Sequence, residues 1–200
     1  MDEATKAATR RKRDPRYNTY IKGRVLDVGC GTDPVNKSLY PKVTDVTPYD
    51  LILGHTDAIF LPELAGQAGT FDCVHASHLL EHLTLPGTAV GMWLTMLKPG
   101  GHLVVTVPEE DLYEQGIFPS RWNGDHKTTW TIFKLQSWSP VSVNVFDLLT
   151  DFPPDLMQII SVIRVEEGYD FTMSQVDQTL GSAESAIEFV LRRKSILLTD

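Results

Sequence analysis

Apolar residues in this chain fall into two patterns. Continuous runs of strand length, Arg24-Val25-Leu26-Asp27-Val28, Phe71-Asp72-Cys73-Val74-His75-Ala76 and His102-Leu103-Val104-Val105-Thr106-Val107, predict buried strands. Residues 43–46 predict another short strand, with Pro48 as its stop, and 156–165 and 185–191 predict two closing strands. Helical spacing runs over 88–97 and ends at the breaker cluster Lys98-Pro99-Gly100-Gly101; 79–83 opens a further helical stretch. Residues 34–40 fit a short helix, with Asp33 as its cap and proline in its first turn. Strands alternating with helices indicate an α/β fold, a doubly wound, mostly parallel sheet with right-handed crossovers. Such sheets bind ligands beyond the carboxyl ends of their strands. The loops after Val28 and Val46, near Asp57, and after Ala76 and Val107 should therefore share one edge.

Outside these elements the pattern loosens. Residues 111–140, rich in aromatics and turn formers, read as a lid or insert over the cleft, and 1–16 as a flexible basic arm. The remainder, 17–200, reads as one domain, a length that can bury a real core. The net charge is −8, yet residues 1–24 hold eight of the 18 lysines and arginines. The rest of the chain is strongly acidic, which argues against a nucleic-acid partner. No apolar run approaches the ~20 residues of a membrane helix, and Met1-Asp2-Glu3 starts no export signal. A cytoplasmic location and reduced thiols at Cys30 and Cys73 follow as expectations.

Asp27-Val28-Gly29-Cys30-Gly31-Thr32 is the most informative segment. A glycine pair after a buried strand lets the backbone turn sharply and approach a ligand closely. A dinucleotide site would add a third glycine at position 34, where this chain has proline, so a nicotinamide oxidoreductase is a minor alternative. The segment resembles motif I of the class I S-adenosylmethionine (SAM)-dependent methyltransferases through Asp27, Gly29 and Gly31. Further along, Phe71-Asp72-Cys73-Val74 followed by Leu80-Glu81-His82-Leu83, and then Lys98-Pro99-Gly100-Gly101, resemble the type 11 subgroup of that family. The resemblance is good over residues 20–110 and loose elsewhere.

The resemblance implies a Rossmann-like sheet of about seven strands, SAM as cofactor and S-adenosylhomocysteine as product. It implies that Asp27, Gly29, Cys30 and Gly31 shape the methionine end of the cofactor site. Asp45, with Val46 beside it, would hold the ribose, and Asp50 is the rival carboxylate. His55-Thr56-Asp57-Ala58 looks like the family's adenine segment, with Asp57 on the amino group and Ala58 against the ring. Ser77 and His78 would border the sulfonium.

Glu81, His82 and His126 are the candidates on the acceptor side, with His126 the best candidate base, walled by Trp122 and Trp130. Trp93 and Trp138 read as core. The run His78-Leu79-Leu80-Glu81-His82 also fits the H-x-x-E-H zinc motif of a helix, but the larger pattern accounts for it and no metal is expected. The acceptor implied is a small molecule, a glycan or a lipid-like compound. A SAM-binding sensor or partner subunit without turnover is the other class to weigh. The sequence leaves the oligomeric state open.

Overall fold

A computed structural model describes residues 3–195. Two helices, α1 (Glu3–Arg11) and α2 (Tyr17–Tyr20), precede the strands β1 (Gly23–Val28), β2 (Val43–Tyr49) and β3 (Phe71–Ser77). Helix α3 (Pro86–Met96) leads into β4 (Leu97–Pro108). The short strands β5 (Thr129–Thr131) and β6 (Ser142–Asn144) pair with each other, followed by α4 (Val145–Thr150), β7 (Met157–Val165) and β8 (Ala186–Arg193). The main sheet has six strands in the order β2-β1-β3-β4-β8-β7. The pairs among β1 to β4 are parallel, and β8 runs antiparallel between β4 and β7.

The two faces of the sheet are built differently. Leu26, Val28, Val74, Ala76, Leu103, Val105, Ile187 and Phe189 join Trp93 and Leu94 of α3 in the larger core. Trp93 Nε1 donates to the Ala58 carbonyl at 2.9 Å. The alternate positions Val25, Cys73, Val104 and Val190 pack under Ala8, Tyr17 and Ile21. Strand periodicity places Asp27, His75, Thr106 and Glu188 on this second face too, and all four are buried. Arg11 bridges three of them: it donates to Glu188 (2.7 Å), Thr106 Oγ1 (2.8 Å) and His75 Nε2 (2.9 Å). Because a guanidinium only donates, His75 Nε2 accepts, and the ring proton sits on Nδ1, 2.6 Å from Asp27 Oδ1. Arg10 adds bonds to Glu184 (3.0 Å) and Glu188 (2.9 Å). The basic N-terminus, expected as a flexible arm, is therefore a docked helix whose charges neutralise buried carboxylates on β8 and just before it.

α1 lies beside the segment that follows the glycine turn, with Thr5 Oγ1 donating to Asp33 at 3.2 Å. Residues 34–40 form turns instead of the expected helix. Val35 N–H donates to Asp27 Oδ2 at 2.7 Å, which holds the segment across the strand end. Pro34 and Pro41 bracket the segment. Between β2 and β3 there are only two single-turn 3-10 helices, Leu51–Leu53 and Pro62–Leu64, so β2 is an edge strand. On an edge, Pro48 costs no ladder bond and the strand continues through it to Tyr49.

Residues 110–144 are tethered by one buried acid. The Glu109 carboxylate caps a single π-type turn, Glu110–Glu114, by accepting from Asp111 and Leu112 N–H, both at 2.9 Å. Glu110 then accepts from Ser137 (2.6 Å), Ser142 (2.6 Å), Thr129 (2.9 Å) and Lys134 (3.0 Å). Burial alone would raise its pKa, but these donors outweigh it and hold the carboxyl below its ordinary range. Trp130 is wholly buried and Trp138 is more than a third exposed, donating to Asp111. The former belongs to the core and does not wall a pocket, and the latter is not core. Among the described residues no helix is long and apolar enough to cross a membrane.

Candidate active site

The carboxyl ends of β1, β2 and β3 meet at the glycine turn. Gly29 N–H donates to the Tyr49 carbonyl at 2.7 Å. Gly29 and Gly31 both have positive φ, +70° and +54°, which glycine adopts without strain. A Cβ on Gly29 would lie 2.6 Å from Leu79, whereas one on Gly31 would meet nothing within 4 Å. The turn is thus packed on one side and open on the other. Gly31 N–H donates to Asp50 Oδ2 at 2.9 Å, and Ile52 N–H donates to Asp50 Oδ1 at 2.9 Å. The carboxylate of Asp50 therefore sits against the glycine turn with half of its roughly four lone-pair sites still free.

Asp45 does not reach this place. Its register partner is Arg24, while Asp27 pairs with Pro48 and Val28 with Tyr49. Asp45 and Val46 lie near the start of β2, about 10 Å of strand short of the turn. The Asp45 side chain is 62% exposed and faces Lys37. Pro48 does not stop the strand, and the carboxylate that lies at the glycine turn is that of Asp50.

The next loop is firmly held. Tyr49 hydroxyl donates to the Asp57 carbonyl at 3.1 Å and to Glu63, and its ring stacks on His55 with centroids 4.0 Å apart. Burial and Glu63 both push the Tyr49 pKa up. Asp57 Oδ1 accepts from Ile59 (2.7 Å) and Phe60 (2.9 Å). At the end of β3, Ser77 Oγ is buried without a hydrogen-bond partner. His78 follows in a left-handed conformation, φ +52°, its N–H donating to the Thr106 carbonyl at 2.9 Å. Its imidazole pKa is raised: burial opposes this, but Glu81 and Glu3 outweigh it. Cys30 is a free thiol whose pKa burial and Asp27 push up to about 11, so it is no thiolate nucleophile at neutral pH.

Beside this edge the structure gathers Glu81, His82 and His126. Leu80–His82 is one 3-10 turn rather than the start of an α-helix, so His78 and His82 do not share a helix face. Lys127 N–H donates to the Glu81 carbonyl at 2.7 Å and brings His126 alongside. The His82 and His126 rings meet edge to face, centroids 4.9 Å apart, and Tyr113 lies against His126 at 5.3 Å. His126 Nδ1 lies 2.7 Å from the buried Glu114 Oε1. Both Glu81 carboxylate oxygens are buried without a hydrogen-bond partner.

A family model described as a methyltransferase domain matches residues 3–140. The chain belongs to the methyltransferase-domain family. The ubiquinone biosynthesis O-methyltransferase of Acinetobacter baumannii (strain ACICU) is 34% identical over 108 residues, covering 45% of this chain and 46% of that protein. That of Caulobacter sp. (strain K31) is 29% identical over 117 residues, covering 50% and 46%. The chain thus spans about half the length of the curated relatives it matches. A SAM-dependent methyltransferase from Clostridium acetobutylicum ATCC 824 superposes with a TM-score of 0.62 at 12% identity, covering 97% of this chain and 93% of that one. The N-methyltransferase NodS from Bradyrhizobium japonicum WM9, solved with S-adenosylhomocysteine, gives 0.55 at 16% identity, covering 94% and 87%. The fold is that of class I SAM-dependent methyltransferases.

In this methyltransferase domain, Asp27 has a different place from the one expected. Its oxygens are taken by His75 and Val35 N–H, so it closes the glycine loop from below and does not line the open side. Three residues of the site went unread. Glu114 meets His126 across twelve residues of loop, and nothing local marks that pairing. Arg11 and His75 left a trace: Asp27, His75 and Thr106 are polar positions on one face of three runs that read as buried strands, which requires partners.

Proposed function

We propose that this chain is a SAM-dependent methyltransferase whose acceptor is a small molecule bound between the turn after β3 and the insert 110–144. The observation that carries the reading is the meeting of the open glycine turn with the Asp50 carboxylate at the carboxyl ends of β1 and β2. The open side of the turn at Gly31 suits close approach of the methionine part, and the free lone pairs of Asp50 suit two ribose hydroxyls. Asp57 and Ala58 serve the adenine. Ser77, with its buried unpartnered hydroxyl, and His78 border the reacting end.

When bound, SAM supplies a methyl group already activated on a sulfonium. The chain's own work is then to hold the acceptor in line, exclude water and take a proton where the acceptor carries one. Glu114 fixes the orientation of the His126 ring through Nδ1, which leaves Nε2 to receive that proton. An oxygen acceptor on a small molecule is supported by the relatives named as ubiquinone biosynthesis O-methyltransferases.

Isothermal titration with SAM and with S-adenosylhomocysteine tests the reading. Both should bind in the micromolar range. Asp50→Asn should weaken binding by ~1–3 kcal/mol, the scale of a charge-assisted hydrogen bond, and Asp45→Asn should leave it unchanged. Equal loss in the two variants, or no binding to the folded wild type, refutes the assignment. Turnover on any acceptor removes the sensor reading.

A further inference from the structure

We infer that Glu81, His82 and His126 form a binding site for a divalent first-row transition-metal ion. The inference deepens the proposed methyl transfer at the same place: with an ion bound, His126 Nε2 is a ligand and no longer the proton acceptor, and the ion instead would ease loss of the acceptor's proton. It depends on that reading for the ion's role but not for its binding.

Four observations carry it. One donor atom from each of the three residues lies within 4.8 Å of the others. The Glu81 side chain is 1% exposed, and neither oxygen has a hydrogen-bond partner. Its nearest neighbours, His78 Nδ1 at 3.6 Å and His82 Nε2 at 3.9 Å, lie beyond hydrogen-bond length. Two imidazoles at ion-pair distance without a hydrogen bond compensate this buried carboxylate only in part, and a metal ion would complete the compensation. His126 also has a buried carboxylate hydrogen-bonded at its Nδ1, Glu114 at 2.7 Å, whereas Asp125 lies 3.2 Å from His82 Nδ1 without a hydrogen bond. A carboxylate behind an imidazole fixes the ring and leaves the other nitrogen for a metal, as Glu114 does for His126. Finally, the Lys127 N–H bond to the Glu81 carbonyl clamps the two backbone segments together. Bringing the donors to the spacing of about 3–3.5 Å around a shared ion is then a matter of side-chain rotation.

Two imidazoles and one carboxylate favour zinc, cobalt, iron or manganese over magnesium and calcium, which prefer all-oxygen sites. Three protein ligands leave coordination positions open, as in catalytic rather than structural sites. The trio differs from the H-x-x-E-H motif in the sequence. His78 is left-handed at the strand end and contributes no ligand, and the second histidine comes from the insert.

The test is a cobalt(II) titration of the full chain after chelator treatment, followed by its visible d–d bands, with zinc as competitor. Wild type should bind one cobalt per chain with bands that zinc abolishes. Glu81→Gln and His126→Ala should each weaken binding by at least about tenfold, and Glu114→Gln by about tenfold through the orientation of His126. Affinity for S-adenosylhomocysteine, measured on the same preparations, reports whether each variant is folded. Absent bands in wild type, or unchanged cobalt affinity in Glu81→Gln and His126→Ala, overturns the ion site. If S-adenosylhomocysteine binds but cobalt does not, the ion site falls and the methyltransferase reading stands. If cobalt binds with the expected variant pattern and S-adenosylhomocysteine does not, the ion site stands and the methyltransferase reading falls.

Discussion

Replacing Arg11 with alanine measures how much of the fold depends on α1. Arg11 and Glu188 are each 1% exposed. The variant leaves Glu188 with Arg10 and Tyr17 but without the guanidinium that also holds Thr106 and His75. Burial acts to raise the Glu188 pKa, yet Arg11 and Arg10 outweigh it and hold it at about 2, against 4.5 for an ordinary glutamate. That difference corresponds by linkage to about 3 kcal/mol at neutral pH, shared between the two arginines. Breaking a buried pair from one side costs about 3–5 kcal/mol, so both routes lead to a loss of a few kcal/mol. For a chain of this size 1 kcal/mol moves Tm by about 2–4 °C, and the expected fall is about 6–12 °C. The sign with pH follows from the depressed pKa. The stabilisation is fully present above the unfolded value near 4.5 and is lost as pH falls toward 2. Thermal unfolding followed by circular dichroism at pH 7 and pH 3 should therefore show a wide gap between wild type and variant that narrows in acid. A fall below about 2 °C at pH 7 would mean that α1 is dispensable and the basic arm is free after all, and a gap that does not narrow in acid would mean that the Glu188 charge is not what Arg11 stabilises.

Three further outcomes follow. Gly29→Ala combines a positive φ with a methyl group 2.6 Å from Leu79; it should cost about 1–3 kcal/mol in urea unfolding and abolish SAM binding, and retained affinity would place the cofactor elsewhere. Burial, with Asp111 adding to it, raises the Glu109 pKa to about 7. The folded state then binds the extra proton between pH 4.5 and 7, so this group makes stability decline as pH rises across that window, by up to about 3 kcal/mol. Glu109→Gln keeps the acceptor for Asp111 and Leu112 N–H and should be more stable than wild type at pH 8 but not at pH 4; equal pH profiles in urea titrations would refute this. Glu110→Ala removes the common acceptor of Thr129, Lys134, Ser137 and Ser142. Limited proteolysis within 115–140 should speed up while S-adenosylhomocysteine affinity stays, and unchanged cleavage would show that the insert is held by something else.

The sequence by itself determined the parts that local chemistry dictates. Buried strands announce themselves as apolar runs because both faces of a central parallel strand are covered, and β1, β3 and β4 formed where those runs lie. The glycine turn was legible because only glycine adopts its backbone freely, and α3 because proline opens it and the Lys98-Pro99-Gly100-Gly101 cluster follows it. Tertiary structure alone decided what depends on position in the sheet. Pro48 stops a central strand but not an edge strand, and whether β2 lies at the edge depends on what the residues between β2 and β3 build. Its continuation through Pro48 to Tyr49 brings Asp50, and not Asp45, to the glycine turn. The basic arm is unremarkable until Glu188 and Glu184, more than 170 positions away in the chain, supply the charges that hold it. The Glu81, His82 and His126 cluster likewise depends on a loop folding back to the Glu81 carbonyl through the backbone N–H groups of Lys127 and Thr128. Each is a long-range pairing of polar groups that are costly to bury alone, and neither residue of such a pair carries a local signal of the other.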